Sequence, residues 1–164
     1  MNPVKVIAVS SGKGGVGKTN VSVNLACQLA RRNRRVLLMD ADLGLANVDI
    51  MLGLRPKWNL SHVLEGQCDI QDILMPGPSG ISIIPAASGI KKMAELGSDQ
   101  HGAIVRALSG LNDDYDVLVV DTAAGISDSV ITFSKASHYV MVVVTDELPS
   151  MADAYALIKV MSRD

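Results

Sequence analysis

Gly12-Lys13-Gly14-Gly15-Val16-Gly17-Lys18-Thr19 stands between an apolar run, Val4 to Ser10, and an amphipathic stretch, Thr19 to Arg32. Gly12, Gly17, Lys18 and Thr19 satisfy the spacing G-x-x-x-x-G-K-[ST]. Average residue usage would produce that match somewhere in 164 residues with a probability of about 1%. The context is the one the motif needs, a strand before it and a helix opening from it. Glycines let the backbone curl with its N–H groups inward, and the helix dipole adds partial positive charge. The pattern predicts a phosphate-binding loop rather than a flexible strand-to-helix turn. Lys18 would bridge the β- and γ-phosphates of a nucleotide, and Thr19 would give its hydroxyl to Mg2+.

Outward from the loop, apolar runs alternate with helical stretches. Val36–Asp40, Ile81–Pro85, Val117–Asp121 and Tyr139–Thr145 read as further strands, rich in Val, Ile and Leu without alternation. Such runs suit strands buried on both faces. The segments Leu60–Glu65, Ile70–Leu74, Gly102–Leu111 and Asp128–Ala136 serve as helical crossovers, and Val21, Leu25 and Leu29 lie on one face of the first helix. The expected fold is α/β, a doubly wound and mostly parallel sheet flanked by helices, in one domain. Ser150 to Met161 reads as a crossover helix that should deliver another strand, so the domain is expected to lack its C-terminal part.

Two strands end in carboxylates. Asp40 and Asp42 close the second, where a spacing of two puts both on the same side of an extended backbone. Strand carboxyl ends line the ligand crevice in such sheets. Asp121 follows four apolar residues, the Walker B pattern, in which the carboxylate holds Mg2+ directly or through water.

The second lysine, Lys13, right after the first glycine, makes the loop resemble that of the deviant Walker A or MinD/ParA family. The resemblance implies an ATP-dependent homodimer in which Lys13 reaches the partner's nucleotide and neutralises transition-state charge. It also implies that Asp40 to Asn47 is switch I, with Asp42 positioning the attacking water and Asp40 supporting the metal site. Asp121 to Ser127 would be switch II, with Ala123 where the family usually has Pro. Together with Pro85-Ala86-Ala87-Ser88-Gly89 and Asp153-Ala154-Tyr155-Ala156-Leu157-Ile158-Lys159, these stretches resemble the flagellar-number regulator branch, the FleN/FlhG type. What that branch implies is slow regulatory hydrolysis of ATP with Mg2+ and restraint of an ATPase-type flagellar transcription activator. ATP is itself implied by the resemblance, and no N-K-x-D guanine signature is visible.

The remaining features narrow the alternatives. A net charge of −2 gives no broad footprint for DNA, which disfavours a ParA-like DNA-coating partition ATPase. No apolar run approaches the roughly 18 residues that span a bilayer. A MinD-like protein would meet the inner membrane, or localise at a cell pole, through a further C-terminal helix. Cys27 and Cys68 lack CxxC spacing, which disfavours an iron–sulfur scaffold and suits reduced thiols in the cytoplasm. His62, His101 and His138 show no metal-ligand spacing. Arg31-Arg32-Asn33-Arg34-Arg35 falls where cations offset a helix dipole, the plain alternative to a contact with an anionic partner.

Overall fold

The computed structural model describes residues 4–42, 47–86, 102, 104, 106–108, 111 and 114–162. Five strands follow the expected runs: β1 (Lys5–Ser11), β2 (Val36–Ala41), β4 (Ser82–Ile84), β5 (Val117–Ala124) and β6 (Tyr139–Val142). Unexpected is β3, the two residues Met75–Pro76, which pairs antiparallel with β4 at the sheet edge. The order is β3-β4-β2-β5-β1-β6, and every pairing except β3 with β4 is parallel. Helices α1 (Lys18–Arg31), α2 (Val48–Leu52), α3 (Leu60–Leu64) and α4 (Asp128–Lys135) lie between them, and α5 (Leu148–Met161) follows β6. Residues 102, 104 and 106–108 are also helical.

The run-on apolar composition has its reason in two cores. In β2, Leu37, Met39 and Ala41 join one cluster, while Val36 and Leu38 join the other. β5 divides in the same way, Leu118 and Val120 against Val117 and Val119. The first core takes Leu60 of α3, Phe133 of α4 and Ile104; the second takes Val23 and Ala26 of α1. Both faces are covered, so the strands carry no polar side, as a doubly wound sheet requires. Val21, Leu25 and Leu29 are half-buried at the edge of the second core.

Several boundaries differ from expectation. β5 runs on to Ala124, so Asp121 lies inside the strand rather than at its end, because Asp121 and Thr122 still pair with Asp40 and Ala41 of β2 and Ala124 with Ser11 of β1. β6 stops at Val142 because its neighbour β1 ends at Ser11; Val143 still donates to Ser10, and beyond it no strand among the described residues pairs with the chain. α5 begins at Leu148 with Pro149 in its first turn, where the missing N–H costs nothing. Ile70–Ile73 forms a 3-10 turn rather than an α-helix. The expected stretch Leu43 to Ala46 of switch I, the match Ala87-Ser88-Gly89, His101, and residues 103, 105, 109 and 110 of the expected fourth crossover lie outside the described residues.

Candidate functional site

β1, β2 and β5 are parallel, so their carboxyl ends lie on one side of the sheet, and the loop leaves β1 between β5 and β6. The β1–β5 register shifts between Val9 and Ser11, so the chain departs from the ladder at the loop. The Ser11 hydroxyl donates to the Lys13 carbonyl at 2.9 Å and holds the first turn. Gly12 lies under α5: a Cβ there would stand 2.2 Å from the Asp153 carbonyl carbon and 2.6 Å from the Ala154 nitrogen. Gly17 caps α1 with φ 88°, a left-handed conformation that glycine adopts without strain. It offers no side-chain cap, and the first turn of α1 holds no acidic residue. The leading N–H groups of a 14-residue helix, with the positive end of its dipole, therefore face the loop. Gly14, Gly15 and Gly17 are exposed, while Lys13, Val16 and Thr19 are half-buried.

Beneath the loop, Lys18 Nζ lies 3.1 Å from Asp121 Oδ1 in a pair removed from water, 8% and 0% exposed. Ser22, one turn further along α1, donates to the same Oδ1 at 2.8 Å. Asp121 Oδ2 is buried with no partner among the described residues. Asp40 faces Asp121 across the β2–β5 ladder and is wholly buried. It accepts three backbone N–H groups, from Asp42 at 3.1 Å, Asn47 at 2.8 Å and Val48 at 2.9 Å. Burial pushes its carboxyl up to about 7; the N–H groups of Val48, Asn47 and Asp42 oppose this, and Asp121 reinforces it. Asp42 lies just past β2, half-buried, and accepts from the Asn47 side chain at 3.1 Å. The two carboxylates thus share an end of β2, but Asp40 holds the backbone N–H groups of Asp42, Asn47 and Val48 while Asp42 is the more open to solvent.

Lys13 donates instead to Glu147 at 2.5 Å, at the start of α5. The stretch expected as switch II begins at Asp121. Ala123 lies inside β5, which runs on to Ala124, and Gly125 (φ 95°) then turns the chain while its N–H donates to Ser11 at 2.8 Å. Loop and switch II are thereby tied at their backbones.

Ser22, Asn47 and Glu147 were not singled out by the sequence. Ser22 was within reach of a spacing argument, because residues four apart share a helix face. Glu147 lies 134 residues from Lys13 and carried no such signal. The arginine cluster behaves as a helix end: Arg31 is in the last turn of α1, and Arg35 pairs with Asp116 at 2.9 Å. His62 belongs to the capping box of α3. Among the described residues no three His, Cys, Asp or Glu side chains gather as a metal cage, and no helix is long and apolar enough to cross a membrane.

A family model described as an AAA domain matches residues 4–163. The antiactivator FleN of Pseudomonas aeruginosa is 59% identical over all of this chain, which covers 59% of that protein. The flagellum site-determining protein YlxH of Helicobacter pylori is 37% identical over 98% of this chain and 54% of its own length. The chain therefore spans little more than half the length of these relatives. The septum site-determining protein MinD of Pyrococcus horikoshii, solved with Mg-ADP, superposes with a TM-score of 0.85 at 25% identity, over 98% of this chain and 65% of that one. A Lys18–Asp121 pair under an uncapped helix, with this likeness along almost its whole length, places the chain in the AAA-domain family as a MinD/ParA-type P-loop domain homologous to the flagellar-number regulators.

Proposed function

We propose that this domain binds ATP with Mg2+, hydrolyses it slowly, and uses the cycle as a dimerisation switch in a flagellar regulator. The observation that carries the reading is the base of the loop. There, a buried lysine and a buried carboxylate with one orphan oxygen meet beneath free helix N–H groups. An uncompensated oxygen in a water-free site is costly, and a cation reached through it removes the cost. The absence of an all-protein cage among the described residues suits Mg2+, which takes one or two carboxylates and keeps substrate phosphates and water.

In this reading the N–H groups of Gly14 to Thr19 hold the phosphates, and Lys18 gives its charge to them. Thr19 and Asp121 hold the metal, whose chemistry is to neutralise phosphate charge. Asp40 supports that site indirectly, by fixing the backbone of Asp42, Asn47 and Val48. Asp42 positions the attacking water. Lys13 serves the partner's nucleotide. Exposed apolar side chains on the elements that follow the strand ends (Ile50, Met51, Ile126, Leu148 and Met151) supply surface for a second copy of the chain.

The finer assignment is restraint of an ATPase-type flagellar transcription activator in the cytoplasm, by a surface present only in the ATP-bound dimer. It is supported by the likeness to a protein named as an antiactivator. By linkage, such a partner stabilises the ATP state that it recognises. The test is capture of the activator by the full-length protein under ATP, ADP and no nucleotide, with the activator's own ATPase rate measured alongside. Retention only under ATP, with a lowered rate, is expected. Equal capture in all three conditions would remove the switch; no capture, with ATP-dependent coating of DNA, would move the protein to the partition class.

A further inference from the structure

Asp121 is wholly buried, so bulk solvent does not reach its carboxylate. Among the described residues its Oδ1 has two donors, Lys18 Nζ at 3.1 Å and Ser22 Oγ at 2.8 Å, and its Oδ2 has none. Resting on the nucleotide reading above, Lys18 is the donor that must leave, since its charge is wanted by phosphates. Ser22 then remains as the donor to Oδ1 among the described contacts. Its hydroxyl has one proton and two acceptors, Asp121 Oδ1 at 2.8 Å and the Lys18 carbonyl at 3.1 Å. The second is the ordinary back-bond of a helical serine; the first is shorter and goes to an ionised group, which makes the stronger bond. Ser22 is itself wholly buried on the same rigid helix as Lys18 and Thr19, so its oxygen does not move independently of the loop.

We propose that Ser22 is a positioning residue for the metal: it holds Oδ1 of Asp121 when Lys18 turns to the phosphates, and so keeps Oδ2 aimed at the ion. Residues that orient a metal-binding carboxylate typically change metal affinity by about 10–100-fold when removed. The role predicts a defect in the demand for Mg2+, not in nucleotide binding as such.

The experiment titrates a fluorescent ATP analogue onto the full-length protein in EDTA, then titrates Mg2+ into the complex. Ser22→Ala should bind the analogue in EDTA within about twofold of wild type, yet need roughly tenfold more Mg2+ for half-saturation. Turnover should recover at saturating Mg2+. Ser22→Cys, close in shape but a weak donor, should fall between the two. In an Asp121→Asn background, Ser22→Ala should add less than about twofold, because both act through one carboxylate. Helical circular dichroism controls for folding, and if Ser22→Ala fails it, the Ser22→Cys curve decides by the same criterion. A Mg2+ curve that overlays wild type, or a full additional loss in the Asp121→Asn background, would overturn the proposal and leave Ser22 a packing residue. Failure of the wild type to bind the analogue at any Mg2+ concentration would overturn the nucleotide reading instead.

Discussion

Lys13 donates to Glu147 of its own chain at 2.5 Å, so the lysine assigned to the partner's phosphates is held at home. Both side chains are open to solvent, 38% and 59% exposed, and the contact lowers the Glu147 carboxyl below its usual range. An ion pair this exposed is weak and releases readily. That suits a contact which must break before Lys13 can cross to a second copy. Removing Glu147 should therefore favour the dimer: Glu147→Gln is expected to dimerise at lower ATP than wild type, and Lys13→Ala to bind ATP yet stay monomeric. Sedimentation of the full-length proteins across an ATP series checks both. A Lys13→Ala protein that dimerises as well as wild type would remove the trans role.

Lys18→Ala should fail twice. It takes a cation from the phosphates, and calorimetry is expected to show severe loss of ATP affinity. It also leaves Asp121 charged and wholly buried without its cation, a change that typically costs about 3–5 kcal/mol. Urea unfolding of Lys18→Ala and of Lys18→Ala/Asp121→Asn separates the two effects. The double variant should recover most of the stability and none of the binding.

Asp42→Ala should leave ATP affinity near wild type and slow hydrolysis by about 100-fold or more, the scale of a lost proton acceptor or water-positioning group. The ATP-bound dimer then accumulates. Single-turnover measurements give the rate directly, and unchanged turnover would sink the role assigned to Asp42. Asp40→Ala should differ, loosening switch I through the lost grip on the Asp42, Asn47 and Val48 N–H groups, and lowering stability as well as rate.

Asp49 predicts a pH dependence. It is 5% exposed on α2, neither carboxylate oxygen has a partner among the described residues, and burial pushes its carboxyl from 3.8 up to about 6. The unfolded chain loses this proton near pH 4 and the folded chain only near pH 6. Between those values the folded state binds more protons, so stability falls as pH rises and levels off above about 6. Asp49→Asn removes the ionisation. It should stabilise the protein by about 1–3 kcal/mol at pH 7.5 and by almost nothing at pH 4. Asp40 titrates in the same direction but is common to both proteins, so the difference between their urea unfolding curves isolates Asp49. A gap of equal size at the two pH values would show that another property of the substitution is responsible.

The loop, Asp40, Asp42 and Asp121 were legible in the chain because each lies where local pattern meets a strand end. A run of four buried residues followed by a carboxylate states the strand but not its terminus, since β5 runs three residues past Asp121 to Ala124. The crossover helices and the parallel order follow from the same alternation. α2 and β3 were not legible. Five residues after switch I and two residues at a sheet edge are too short to show a period, and only their contacts make them helix and strand. Ala123 against the family's Pro says nothing alone; folded, it lies within a β5 that runs to Ala124.

Chain pattern by itself determined which residues could meet a phosphate, since a glycine-rich turn, a lysine and a hydroxyl in fixed sequence are local chemistry on one helix start. Only the tertiary structure decided what those residues touch. Asp121 stands 103 positions from Lys18 and 99 from Ser22, and Glu147 stands 134 from Lys13. Such partners are chosen by the order of strands in the sheet, which sets β5 and β6 on either side of β1. That order is selected by burying both faces of the sheet at once, a property of the whole packed chain that no short stretch of it carries.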